Sequence, residues 1–261
     1  MSYTMHLALQ ALFFLGAYAT PSYRAIKPPF FLLAGDSTTA TQSSNGGGWG
    51  DGFINTTLFS GAGGLNFGHN GATTVSFRDG GDWDNVLSEL ADHKARYNPY
   101  VTIQFGHNDQ KTSAGISIAE YTSNLEQFAA DVQNAGGTPI LVTPLSRRNY
   151  DNSSGTPTII ENLADQRAAT IDAAETAGVA YIDLNRASTD YLNSIGPQNA
   201  YTYNLNADDQ THLNVQGSRV FGGMVAELIL GVLPSLGEEG YVEVDPELLT
   251  ALQDGEYYWP E

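Results

Sequence analysis

The chain has 261 residues, 41% hydrophobic and 15% charged, which is enough for one sizeable core and too few to require two domains. Its formal net charge of -18 argues against nucleic acid and anionic membrane surfaces as partners, because both would repel it. It has no cysteine, which excludes disulfides, thiolate nucleophiles and Cys-based zinc sites.

Leu7 to Ala17 is an apolar run too short to span a bilayer, and Ala17-Tyr18-Ala19 has the small-x-small form of a cleavage site. Residues 1–19 therefore read as a secretory signal peptide, although no Lys or Arg precedes the run; a buried N-terminal helix is the alternative. The sequons Asn55-Thr56-Thr57 and Asn152-Ser153-Ser154 fit an exported glycoprotein. Phe30 to Ala34 is a short apolar run stopping at Gly35-Asp36-Ser37, the pattern of a buried parallel strand ending in a turn. A Ser/Gly/Asn-rich loop follows, Thr38 to Asp51, with Gly46-Gly47-Gly48-Trp49-Gly50-Asp51; lacking a following Lys-Ser/Thr, it is no phosphate cradle. Leu65 to His69 is a weak second strand leading into Asn70-Gly71-Ala72. Val86, Leu87, Leu90 and Ala91 predict a helix over Asp84 to Arg96, and Tyr100 to Phe105 predicts a strand ending at Gly106-His107-Asn108-Asp109.

Ser117 to Glu120 forms a capping box for a helix with Ile118, Tyr121, Leu125, Phe128 and Val132 on one face, stopped at Gly136-Gly137. A strand at Pro139 to Val142, an Ala-rich helix at Ile160 to Ala177 and a strand at Val179 to Leu184 follow. The last predicted helix runs from Val215 to Leu230, capped by Asn214. Such alternation predicts an α/β domain whose parallel sheet is covered on both faces, over residues 20–237. Residues 238–261 form an acidic C-terminal extension with eight acidic residues and no Lys or Arg, and its Tyr257-Tyr258-Trp259 gives it a means to dock.

Ser37 stands where a doubly wound sheet binds its ligands, just past a strand's carboxyl end. As a nucleophile it needs a base, an orienting group for that base, and donors for an oxyanion. The five histidines are His6, His69, His93, His107 and His212. His6 lies in the predicted signal peptide and His93 on a helix surface beside Lys94, whereas His69 and His107, at strand ends, stay open. His212 closes Asp209-Gln210-Thr211-His212 just before the last helix. On a tight turn, a carboxylate three residues before a histidine accepts the Nδ1 proton and leaves Nε2 to face the nucleophile. Asp208 competes with Asp209 for that role, and Asp36 reads as a cap for backbone amides of the nucleophile turn. No His/Asp/Glu cluster suggests a metal, and no cofactor is needed.

Gly35-Asp36-Ser37, Gly71, Gly106-His107-Asn108-Asp109 and Asp209-Gln210-Thr211-His212 occur in the order of the four blocks of the SGNH (GDSL-type) hydrolase superfamily. The resemblance covers about Phe30 to Leu233. It is most similar to the fungal rhamnogalacturonan acetylesterases, through Gly35-Asp36-Ser37-Thr38, Trp49-Gly50-Asp51, Asn70-Gly71 with Ser76-Phe77, and Pro144-Leu145-Ser146-Arg147-Arg148. The lack of cysteine departs from disulfide-bearing relatives. The resemblance implies a flavodoxin-like three-layer α/β/α sandwich. It also implies Ser37 as nucleophile, His212 as base, Asp209 rather than Asp208 as orienter, and an oxyanion hole of the Ser37 and Gly71 N–H groups and the Asn108 amide. The substrate expected from it is acetylated polysaccharide, the rhamnogalacturonan of pectin first of all, hydrolysed without metal or cofactor. With the signal-like N-terminus the expected enzyme is secreted, and it is expected to be a monomer.

Trp49 and Trp83 are candidates to stack on a sugar and equally candidates for core packing. Arg147 and Arg148 are candidates to meet a galacturonate carboxylate, or to be solvated loop charges. Xylan, a small-molecule ester or a non-catalytic carbohydrate-binding role are the alternatives, and none of Ser37, Asn108 and His212 is lost as the last of these would suggest.

Overall fold

In the computed structural model, which describes residues 27–261, the run Phe30 to Ala34 lies in β1 (Pro29–Gly35). The predicted signal peptide, His6 included, lies outside the described residues. β1 pairs in parallel with β2 (Gly63–Asn66) on one side and β3 (Asn98–Gln104) on the other. β3 pairs with β4 (Thr138–Val142), a separate antiparallel ribbon joins β5 (Tyr150–Asp151) to β6 (Thr158–Ile159), and β7 (Ala180–Ile182) pairs with β4. The main sheet is thus entirely parallel in the order β2-β1-β3-β4-β7. The order reverses between β1 and β3, and the crevice beyond their carboxyl ends is where doubly wound sheets hold ligands.

The helices are α1 (Gly50–Thr57), α2 (Thr74–Asp79), α3 (Asp82–His93), α4 (Ile118–Ala135), α5 (Ala164–Ala177), α6 (Leu184–Ala200), α7 (Val215–Val232), α8 (Ser235–Glu238) and α9 (Pro246–Asp254). Alternate strand residues serve opposite faces. Phe31, Leu33, Ile140 and Val142 form one core with Phe53 of α1, Leu192 of α6 and Phe221 of α7. Leu32, Ala34, Val101 and Ile103 form the other with Phe77 of α2, Leu90 of α3, Phe128 of α4 and Ala173 of α5. Three layers result, as the resemblance implied. No helix among the described residues is long and apolar enough to cross a membrane.

Several boundaries differ from the sequence reading. In α3 the buried stripe is Trp83, Val86 and Leu90, while Ala91 is exposed. Ile118, at the first position of α4, is exposed ahead of the buried stripe, although Ser117 Oγ does accept from Glu120 N at 3.2 Å. α5 starts four residues later than predicted, because Ile160 N is bonded to Asn149 O beside the β5–β6 ribbon. The strand predicted to reach Leu184 stops at Ile182, where Asp183 caps α6 by accepting from Arg186 N at 3.2 Å. α1, α2, α6, α8, α9 and the ribbon were not predicted. The acidic segment packs onto the domain: Val242 and Leu248 join the first core, and Tyr203, just after α6, stacks on Trp259 with ring centroids 6.3 Å apart.

Candidate active site

β1 ends in the turn that carries Ser37. Position 35 demands glycine, because a Cβ there would lie 2.3 Å from Thr39 Oγ1 and 2.8 Å from Gln104 O. Thr39 N and Ala40 N both donate to Asp36 O at 3.1 Å, and Asp36 Oδ1 accepts from Thr38 N and Thr38 Oγ1 at 2.8 Å each. Asp36 is therefore a cap of this turn, as read from the sequence. Burial works to raise its carboxyl, but the bonds from Thr38 and the nearness of His107 hold it below the usual carboxylate range. Gln104, at the end of β3, ties the turn from below: its Oε1 accepts from Thr39 Oγ1 at 2.6 Å and from Trp49 Nε1 at 2.8 Å.

The histidines separate by position. His107 is buried beneath the turn with Nδ1 3.6 Å from Asp36 Oδ2, beyond hydrogen-bond reach, and burial pushes its imidazole below the ordinary value. His69 is exposed and pairs with Asp82, Nδ1 to Oδ2 2.7 Å. His93 is half-buried rather than free on a surface, stacked on Phe30 at 3.8 Å. His212 alone of these meets Ser37. Its Nε2 lies 2.8 Å from Ser37 Oγ, and its Nδ1 lies 2.8 Å from Asp209 Oδ2. Asp209 Oδ1 also accepts from His212 N at 2.8 Å and from Thr211 N at 3.0 Å, closing the tight turn that the three-residue spacing predicted. Burial opposes ionisation of Asp209, yet these bonds hold its carboxyl below the usual range. Asp208 is exposed and turned to a neighbouring cleft.

The remaining blocks follow the carboxyl ends of β2 and β3, the two strands that flank β1. Gly71 has φ +82°, so glycine is required there by backbone conformation, and a Cβ would meet nothing within 4 Å. Asn108 is buried, and its Nδ2 donates to Ala72 O at 2.9 Å. Asp109 binds the same segment, accepting from Thr74 N at 2.8 Å and Thr74 Oγ1 at 2.6 Å, with Gly106 N on its other oxygen at 3.2 Å. Two side chains of the β3 turn thus pin the strand of chain that carries Gly71.

The candidate sugar contacts need correction. Trp49 is fully buried, packed edge-on to Phe53 with its indole N–H spent on Gln104, so it has no face for a sugar. Trp83 is buried against Phe128. Arg148 is fully buried as well and is no substrate contact: Nε donates to Asn204 Oδ1 at 2.5 Å and Nη2 to His212 O at 2.6 Å. Desolvation pushes its guanidinium down to about 10. Arg147 is half-buried and lines an open cleft of about 530 Å³ with Asn149, Asn162, Asn206, Asp208 and Asp209. It donates to Thr211 Oγ1 at 3.2 Å and to His107 O at 3.5 Å. Gln104 was missed by the sequence reading; its signal is an amide side chain set between Ile103 and Phe105 near the end of a predicted buried strand.

A profile of the GDSL-like lipase/acylhydrolase family matches residues 33–220. The chain is similar to the probable rhamnogalacturonan acetylesterase YesY of Bacillus subtilis (strain 168), 28% identical over 204 residues that cover 75% of this chain and 89% of that protein. It is similar also to the rhamnogalacturonan acetylesterase RhgT of the same bacterium, 30% identical over 217 residues covering 77% and 89%. Both are bacterial rather than fungal. Among solved structures, protein YxiM of Bacillus subtilis superposes with a TM-score of 0.68 at 23% identity, over 79% of this chain and 57% of YxiM. That likeness is one of fold, and this chain spans little more than half of YxiM.

Proposed function

The chain belongs to the GDSL-like lipase/acylhydrolase family, a family of serine esterases, and on that footing we propose that it removes acetyl groups from plant cell-wall polysaccharide, with rhamnogalacturonan as its substrate. The observation that carries this reading is the unbroken line of bonds from Asp209 Oδ2 through His212 to Ser37 Oγ, 2.8 Å at each step. In the proposed reaction Ser37 Oγ attacks the acetyl carbonyl carbon as His212 Nε2 takes the hydroxyl proton, and Asp209 steadies the imidazolium. The negative oxygen takes hydrogen bonds from the Ser37 and Gly71 N–H groups and from Asn108 Nδ2. Collapse breaks the ester C–O bond, and His212 returns the proton to the departing sugar oxygen. Water, deprotonated by His212, then attacks the acetyl-serine, releasing acetate and restoring Ser37.

The names of YesY and RhgT support rhamnogalacturonan as the polymer. So does the cleft beside Asp209, whose asparagines suit sugar hydroxyls and whose Arg147 suits a uronate carboxylate. Asp208 in the same cleft and the net charge of -18 work against a polyanion, a repulsion that salt or an acidic medium reduces. Every proposed catalytic group comes from one chain, so a monomer suffices. The signal-like residues 1–19 and the exposed sequon residues Asn55 and Asn152 support secretion.

The test is acetate release from acetylated rhamnogalacturonan and acetylated xylan in parallel, with Ser37→Ala as control. Ser37-dependent release from rhamnogalacturonan alone is expected, and Arg147→Met should raise KM on that polymer while leaving a small acetate ester unaffected. Release from xylan alone would keep the chemistry and discard the pectin assignment. A Ser37→Ala protein that still turns over would remove Ser37 from the mechanism.

A further inference from the structure

We propose that Lys111 is a positioning residue that orients and polarises the Asn108 amide for the oxyanion; the proposal rests on the esterase reading above. Lys111 Nζ donates to Asn108 Oδ1 at 2.6 Å, and Lys111 N donates to Asn108 O at 3.1 Å, so the side chain folds back over the turn it ends. Lys111 is exposed, and a merely solvated lysine would keep its rotamer freedom rather than hold one short bond.

The bond decides which way the amide points. An ammonium has only protons to give, so it must face the amide oxygen. On the other side Ala72 O, which only accepts, faces Asn108 Nδ2 at 2.9 Å. Flipping the amide would set nitrogen against ammonium and oxygen against carbonyl, two repulsive contacts in place of two bonds. With the orientation so determined, one Nδ2 proton serves Ala72 and the other, with no hydrogen-bond partner among the described residues, is the one assigned to the oxyanion.

The bond also changes how strongly that proton is given. A positive charge on the carbonyl oxygen draws electron density from the amide nitrogen, and hydrogen bonds in a chain strengthen one another. The acceptor in the crevice carries full negative charge only in the tetrahedral intermediate and the transition states flanking it, so the benefit falls on kcat rather than on substrate binding. Lys111 reaches the reacting oxygen only through Asn108. Its loss should therefore cost less than the loss of Asn108 itself.

The experiment is steady-state kinetics on a small activated acetate ester for the wild-type chain, Lys111→Met, Lys111→Arg, Asn108→Ala and the Asn108→Ala/Lys111→Met double variant, with Ser37→Ala as control and urea unfolding of each. Lys111→Met should lower kcat about tenfold, against on the order of 10²–10³-fold for Asn108→Ala, with KM and the unfolding midpoint little changed. Lys111→Arg, which keeps a charged donor, should recover most of the rate. In the Asn108→Ala background Lys111→Met should cost nothing further, because the pair acts as one unit. An unchanged kcat in Lys111→Met, an equal loss in the Asn108→Ala background, or an Arg variant as slow as Met would overturn the proposal and leave the esterase reading standing. Absence of Ser37-dependent turnover in the wild-type chain would overturn both.

Discussion

Replacing Arg148 by Met separates what stabilises the loop of His212 from what aims it at Ser37. The guanidinium lies between two parts of the segment that ends in His212, with Nε on Asn204 Oδ1 at 2.5 Å and Nη2 on His212 O at 2.6 Å and, more weakly, on Asp209 O at 3.5 Å. Hydrogen bonds to a charged group contribute about 1.5–3 kcal/mol each, so the two short ones represent roughly 3–6 kcal/mol. Burial opposes them. It moves the guanidinium from its ordinary value down to about 10, which at about 1.4 kcal/mol per pH unit is a cost of ~3 kcal/mol on the charged form. Met removes both the bonds and the cost, leaving a net loss of about 0–3 kcal/mol. His212 O keeps a second donor, Leu205 N at 2.9 Å, which holds the loss toward the lower end. Aim is another matter: without the clamp the 2.8 Å contact of His212 with Ser37 loosens, and misplacement by ~1 Å costs on the order of 10²-fold in rate. Urea unfolding together with kcat on a small acetate ester should show a modest loss of stability beside a 10- to 100-fold loss of kcat, an order-of-magnitude range. A kcat that falls only with the folded fraction would refute the clamp.

Asp209→Asn should keep the bonds from Thr211 N and His212 N but leave the imidazole in the wrong tautomer; kcat should fall on the order of 10⁴-fold with little change in fold, as read by circular dichroism beside the kinetics. Trp49→Ala should cost about 3–5 kcal/mol in urea unfolding, and the preference for rhamnogalacturonan over a small ester should not change; a lost preference would restore Trp49 as a sugar contact. Asp183 caps α6 and pairs with Arg167, and although burial works against it these bonds hold its carboxyl below the usual range. Its contribution is thus present above the unfolded value of about 4 and lost as pH falls through the lower folded value. Asp183→Asn should cost about 1 kcal/mol at neutral pH, the pair being partly exposed, and the gap in unfolding free energy from the wild type should close toward strongly acidic pH; a gap constant with pH would exclude the carboxylate as its source.

What could be read from the sequence was what is local. Asp209 and His212 meet because a three-residue turn brings them together, and Ser37 is presented because an apolar strand stops at a glycine. Trp49 was left between sugar and core, and Arg148 was misread, because their roles depend on partners far along the chain: Gln104 for the indole N–H, Asn204 and the His212 carbonyl for the guanidinium. An aromatic beside a Gly-rich loop looks the same in sequence whether its ring faces a sugar or a core. α1 was hidden by a similar override. Its glycines weaken any helical signal, yet a Cβ at Gly52 would lie 1.9 Å from Ser218 O and one at Gly222 2.3 Å from Phe53 N. α1 and α7 meet backbone to backbone, and close packing between two helices outweighs the propensity of either. α6 was lost for a plainer reason: Asp183-Leu184 continues the strand pattern of Ala180 to Ile182, and only the capping bond from Arg186 N marks the change.

Three of the loops that carry proposed catalytic groups are held by a buried polar side chain from the end of β3 or from the segment that follows β3 or β4. Gln104 holds the turn of Ser37, Asp109 holds the segment of Gly71, and Arg148 holds the loop of His212. Loops at the rim of a sheet have few apolar groups to bury, so the hydrophobic effect that sets the strands cannot set them to a fraction of an ångström. Hydrogen bonds can, because they depend on direction as well as distance. The arrangement is costly: burial pushes the carboxyl of Asp109 up and the guanidinium of Arg148 down, each a penalty on the charged form. A core of apolar residues in their place would be no less stable, but it would leave Ser37, Gly71 and His212 free to shift relative to one another. These buried groups are therefore better understood as instruments of geometry than of stability, and substitutions at all three should lower kcat more than their unfolding energies alone predict.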